Sequence, residues 1–195
     1  MISFVIRESF YFMERQQALE ILQKYTKSKN LINHGLVVEG AMKHFAGLYG
    51  EDTNYWGNVG LLHDVDYEMY PDEHLQHTAE LLAPYGVGEE MLHAINSHGF
   101  GICSDVEPTL QMEKVLFAID ELTGLIVACA LVLPDKKLAN VEVASVLKKW
   151  KKKEFARGAN REVISKGAEM VGMPLEDLVK HTLDGMKNIA ESIGL

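Results

Sequence analysis

Between Pro108 and Pro134, Met112, Val115, Leu116, Ile119, Leu122, Leu125, Ile126 and Ala130 recur at steps of three and four. That spacing gathers them on one face of an α-helix and is incompatible with a strand, whose side chains alternate. The same period returns along most of the chain. Ala18, Leu19, Leu22 and Tyr25 mark a helix over 14–25, and Leu31, Val37, Val38, Ala41, Met42 and Phe45 mark a second, capped by Ser28 or Asn30 and stopped at Gly50. Thr53 or Asn54 opens a third, which carries Trp56, Val59, Leu61 and Leu62 and ends at His63-Asp64. Pro71 stands where a first-turn proline would, predicting a helix through His74, His77, Ala79 and Leu82 to Gly86. Further helices are predicted over 88–98, from Pro108 to near Pro134, and over 141–153, 160–171 and 174–193. A strand reading is defensible only over 128–133, which continues a strong helix. The expected fold is therefore all-α, a single-domain helical bundle around one core.

A length of 195 residues suits one domain with a sizeable core and is tight for two. Residues 14–195 are expected to form that domain. Residues 1–13 are apolar and aromatic but interrupted by Arg7 and Glu8, too short and too charged for a secretory or membrane segment, so a cytoplasmic location is expected. Either Met13 is the true start and the leader an upstream extension, or the leader is an arm packing on the domain or on a second subunit of a homodimer. The net charge of −9 argues against non-specific affinity for nucleic acid or anionic membrane and favours a small substrate. Cys103 and Cys129 read as free thiols, with no thiolate metal site.

Six polar residues resist placement on solvated faces: His34, His63, Asp64, His74, His98 and Asp120. All but His74 adjoin apolar positions expected to face the core. An unpartnered buried imidazole or carboxylate costs several kcal/mol, so such groups are paired or bound to metal. Imidazole and carboxylate donors without thiolate suit Fe, Mn, Zn, Co or Ni. The adjacent pair His63-Asp64 can serve one metal only where a helix ends, because helical neighbours point about 100° apart. Asp66, Tyr67 and Pro71 place such an end there.

The order His34, His63-Asp64, Asp120 resembles the H…HD…D signature of the HD superfamily of metal-dependent phosphohydrolases, an all-helical fold, over 31–125, with helices at 140–195 completing the domain. The stretch from His74 through Leu82 looks like the H-P-x-x-G-A-E-I-L segment of its HDIG branch, and Ile95-Asn96-Ser97-His98 like that branch's further histidine. The resemblance implies that His34, His63, Asp64 and Asp120 hold one divalent metal, and that Asp64, bridging, holds a second with His74 and His98. One or two of Mn, Fe, Co, Ni, Mg or Zn would then drive phosphohydrolase activity on a nucleotide or other small phosphorylated metabolite.

The chain departs from that branch after His63-Asp64, where Val65, Asp66 and Tyr67 replace Ile-Gly and a frequent lysine. Asp66 and Glu68 are candidates for the general base or for orienting water, against the alternative of a solvated acidic loop. His77, one turn from His74, is a surface histidine or a substitute ligand. The basic run 148–153 is a solvated face or a phosphate attractor, with Arg157 and Arg161 the better phosphate contacts because a fork of donors suits phosphate. Two rival functions share the features: a di-iron oxygenase of the same fold, which resembles the ligand set equally, and a non-catalytic metal-binding sensor.

Overall fold

The computed structural model describes residues 13–195, so the leader and its expected arm, residues 1–12, lie outside the described residues. Ten α-helices follow in order: α1 (Arg15–Tyr25), α2 (Lys29–Tyr49), α3 (Thr53–Leu62), α4 (Thr78–Leu82), α5 (Glu89–Ser97), α6 (Gln111–Leu131), α7 (Val143–Trp150), α8 (Arg161–Val171), α9 (Leu175–Lys187) and α10 (Ala190–Ile193). No strand forms among the described residues beyond an isolated bridge between Phe100 and Ser104, and the fold is all-α. No described helix is long and apolar enough to cross a membrane.

The long helix expected from Pro108 begins at Gln111, because Glu113 draws the preceding turn back on itself. Its Oε2 accepts from the Thr109 and Leu110 amides at 2.6 and 2.8 Å. Its Oε1 meets His93 Nδ1 of α5 at 2.7 Å. One buried carboxylate thus caps α6 and ties it to α5. Elsewhere Asp52, rather than Thr53 or Asn54, caps α3, and Asn160 caps α8 through the Glu162 and Val163 amides.

Three other expectations change. The helix from Pro71 to Gly86 is broken: a 3₁₀ turn at Pro71–Glu73 leads into Leu75 at φ 71°, and only Thr78–Leu82 is α-helical. The helix over 141–153 stops at Trp150, ahead of three consecutive lysines whose like charges disfavour another turn. The helix expected to reach Ile193 breaks after Lys187 and resumes as α10.

Within the bundle, α2 packs against α3, α6 and α9, and α6 also packs against α8. Glycines permit the close approaches. A Cβ on Gly60 of α3 would lie 2.9 Å from Met42 Cγ and 3.2 Å from the Val38 backbone of α2, and one on Gly35 3.1 Å from the Leu61 carbonyl. A Cβ on Gly167 of α8 would sit 2.4 Å from Ala118 Cα of α6. Ala118, Leu122, Leu125 and Ile126 join Phe45, Leu61 and Leu62 in the buried apolar cluster.

Removing the cap with Glu113→Ala should cost about 2 kcal/mol in denaturant unfolding at neutral pH, the sum of lost charge-assisted bonds to a helix start. Burial opposes ionisation of Glu113, but the Leu110 and Thr109 amides and then His93 outweigh it and hold the carboxyl below its usual value. Its stabilising contribution is therefore present above the unfolded carboxyl's pKa and lost as pH falls through the depressed folded one. The gap between wild type and variant should close in acid.

Candidate metal centre

Five elements deliver six side chains to one place. His34 comes from the second turn of α2, His63 caps the C-terminus of α3, and Asp64 follows in the turn where that helix ends. His74 stands at the end of the Pro71–Glu73 turn, His98 caps the C-terminus of α5, and Asp120 lies midway along α6. The adjacent His63 and Asp64 serve one centre because α3 ends at Leu62, just ahead of them, and the chain turns.

Their atoms fall into two groups that share Asp64. In the first, His34 Nε2 lies 3.1 Å from His63 Nε2, 2.9 Å from Asp120 Oδ1 and 3.5 Å from Asp64 Oδ2. His63 Nε2 is 3.3 Å from Asp120 Oδ1 and 3.4 Å from Asp64 Oδ2. In the second, Asp64 Oδ1 is 3.3 Å from His74 Nε2 and 3.5 Å from His98 Nε2, which are themselves 3.3 Å apart. Each carboxylate oxygen of Asp64 thus faces a different group.

The far side of each ring decides what the near side offers. His63 Nδ1 donates to the Gly60 carbonyl at 2.8 Å, and His98 Nδ1 to the Ile95 carbonyl at 2.6 Å. His74 Nδ1 lies 2.8 Å from Asp66 Oδ1. A neutral imidazole that donates through Nδ1 carries its lone pair on Nε2. Two such lone pairs 3.3 Å apart, as at His74 and His98, can meet only across a shared proton or a cation. A divalent cation reconciles them: donors about 2.0–2.1 Å from one ion lie about 2.9–3.4 Å from each other, close to the separations measured here. The donor chemistry and the spacing both fit divalent metal.

Charge tells the same story. Burial opposes the charged form of His63, yet Asp64 and Asp120 raise its pKa well above the ordinary value. At His74 burial is likewise outweighed, by Asp64 and Asp66, and the pKa rises to about 9. Burial would raise the Asp64 and Asp120 carboxyls, but the surrounding imidazoles hold both well below the usual range. The pocket of carboxylates demands positive charge, which protons supply when no metal does.

All six candidate ligands meet at this centre, but the other four candidate residues do not reach it. Asp66 is fully buried behind His74, where its Oδ2 takes the Thr78 hydroxyl at 3.2 Å and the His77 amide at 3.4 Å. It grips the broken helix and aims His74, with no free face for substrate water. Glu68 accepts from the Lys27 and Ser28 amides at 2.8 and 2.9 Å, capping the start of α2. Arg157 is exposed and pairs with Glu154. Arg161 donates to the carbonyls of Phe155, Ala156 and Ala159, folding the 155–159 loop and leaving no fork for phosphate. His77 stacks on Tyr70 and bonds Glu73 at 2.9 Å, away from the centre.

An open cleft of about 380 Å³ borders the centre, lined by His34, Asp120, Glu121, Gly124 and the loop residues Ala156, Gly158 and Ala159. Arg161 thus shapes its wall indirectly. Glu121 stands on that wall and accepts from the Asn160 amide at 3.1 Å. Burial, and then Asp120, raise its carboxyl pKa. A second cavity of about 270 Å³ reaches His34 from the side of Asn30, Asn33 and the C-terminal Leu195.

Asp66→Asn, which preserves shape but removes the charge behind His74, should weaken metal binding in the His74–His98 group about 10- to 100-fold. The companion group should be little affected. Metal titration followed by elemental analysis reads both.

No family model matches this chain, and no solved structure matches it. Among curated proteins, a stretch of 100 residues is 32% identical to Ribonuclease Y of Enterococcus faecalis, covering 49% of this chain and 18% of that protein. Ribonuclease Y of Nitratidesulfovibrio vulgaris is 30% identical over 101 residues, 50% of this chain and 18% of its own length. The chain therefore spans less than a fifth of the curated relatives it matches, and what it is similar to is one part of a ribonuclease.

Proposed function

We propose that this chain is a metal-dependent phosphohydrolase of the HD superfamily that cleaves a phosphate ester, a phosphodiester first of all, in a nucleotide or a related small molecule. The observation that carries the reading is the position of Asp64, with one carboxylate oxygen in each of two imidazole-bearing groups. That is the arrangement of a bridging ligand between two ions. The likeness to ribonucleases, whose name states cleavage of RNA, adds phosphodiester hydrolysis as the reaction of a related chain.

In this reading His34, His63, Asp64 and Asp120 hold one divalent ion, and Asp64, His74 and His98 hold a second. Bound there, the ions would lower the pKa of water and neutralise charge developing on phosphoryl oxygens. The protein's own share is orientation. The Gly60 and Ile95 carbonyls fix the tautomers of His63 and His98, and Asp66 does the same for His74. Such partners set both ring angle and basicity. The cleft beside His34 and Asp120 admits substrate, and Glu121 on its wall is placed to exchange a proton with the departing oxygen. No lysine or arginine is among the described residues lining that cleft, so the ions would carry most of the recognition of the phosphate.

Variants separate the two groups. At the six-ligand centre, tag-free wild-type chain should carry two metal equivalents, His98→Ala about one, and Asp64→Ala fewer than one, with each variant still helical by circular dichroism. Hydrolysis of a phosphodiester probe such as bis(p-nitrophenyl) phosphate, with Mn, Co, Mg or Fe restored, should fall at least about 100-fold in Asp64→Ala. Two irons with dioxygen consumption and no phosphate-ester cleavage would replace the hydrolase reading with an oxygenase. Full metal content in Asp64→Ala would remove the proposed centre.

A further inference from the structure

A second convergence of ligands lies further along α2, toward its C-terminal end. Helices α2 and α9 approach with Gly40 and Gly185 in contact: a Cβ on Gly40 would lie 2.9 Å from the Gly185 carbonyl oxygen, and one on Gly185 2.7 Å from Ala41 Cα. His44 follows Gly40 by four residues and His181 precedes Gly185 by four, so each stands one turn from the crossing on the face that meets the other helix. There His44 Nε2 and His181 Nδ1 lie 3.2 Å apart. Asp184, three residues beyond His181, brings a carboxylate oxygen, and the three donor atoms all lie within 4.8 Å of one another. All three side chains are half-buried.

A pair of histidines alone is accounted for by one hydrogen bond. The third donor on the same side, and a backbone crossing too tight to let the helices slide, bring three donors within 4.8 Å of one another. Two imidazoles 3.2 Å apart match the edge of about 3.3 Å that a tetrahedral zinc imposes. His34 and His44 are ten residues apart on α2, about 15 Å along its axis, so the group is separate from the centre already described.

We propose that His44, His181 and Asp184 bind one borderline divalent cation of the zinc type, with the remaining positions open to solvent, and that the ion joins α2 to α9. Lys180 competes for the site, its Nζ lying 3.2 Å from Asp184 Oδ2. A bound cation would displace it. The proposal does not rest on the phosphohydrolase reading, because none of these residues touches the cleft or the six-ligand centre.

Equilibrium dialysis of tag-free full chain against zinc, followed by elemental analysis, tests it. Wild type should hold one zinc per chain more than His44→Ala or His181→Ala, with phosphodiester hydrolysis by the variants unchanged. Asp184→Asn, a substitution at a partly exposed position that spares the packing, should weaken the additional zinc at least about tenfold, and Lys180→Gln should tighten it severalfold. Added zinc should raise the unfolding temperature of wild type but not of His181→Ala. Equal zinc content in wild type and the folded histidine variants would overturn the proposal, as would an Asp184→Asn protein that binds zinc as wild type does.

Discussion

The backbone contacts of α2 set the positions of nearly everything else. Gly35 and Gly60 bring α2 and α3 close enough for His34 and His63 to meet, and Gly40 and Gly185 do the same for α2 and α9. Larger side chains at these positions would separate the axes by more than the few tenths of an ångström that close-packed interiors absorb. Donor atoms 2.9–3.5 Å apart tolerate no such separation, so the packing of apolar helices and the geometry of polar ligands are one problem with one solution.

That solution gathers unlike elements. Two of the histidines cap helix ends, and their Nδ1 atoms donate to last-turn carbonyls, those of Gly60 and Ile95. Those last-turn bonds are the device that points Nε2 inward. At His74 no helix end is at hand, and the buried Asp66 takes over. The break in the helix after Pro71 follows from this. A continuous helix would carry His74 away from the centre, whereas Asp66, gripping the His74 ring, the His77 amide and the Thr78 hydroxyl, holds the bent path with Leu75 in the left-handed region.

Electrostatically, the centre inverts the usual hierarchy of a protein interior. Asp64 and Asp120 stay ionised in spite of burial because imidazoles surround them, and His63 and His74 favour the charged form because carboxylates do. Such mutual dependence is costly unless a cation completes it, since breaking any one partner strands a buried charge. The acidic caps at Glu113 and Glu68 belong to a different economy. They satisfy backbone amides and fix where α6 and α2 begin, which in turn sets where Asp120 and His34 stand.

The all-helical class was readable from the sequence, as was the choice of six polar residues that the fold brings together, because a three-and-four apolar period and polar residues beside it are local signals. So was the end of α3 at His63-Asp64, where two neighbouring ligands require a terminus. What Asp66, Glu68, Arg157 and Arg161 do was not readable, since an acid or arginine in a loop has the same sequence appearance whether it faces a cleft or bonds backbone. Only the tertiary structure turned Asp66 inward to His74, Glu68 toward α2 and Arg161 onto its own loop. His181 and Asp184 share a helical face in the sequence, but their meeting with His44, 137 residues away, was decided by which helices cross. Sequence determines what a residue can bond; packing decides which partner comes within reach.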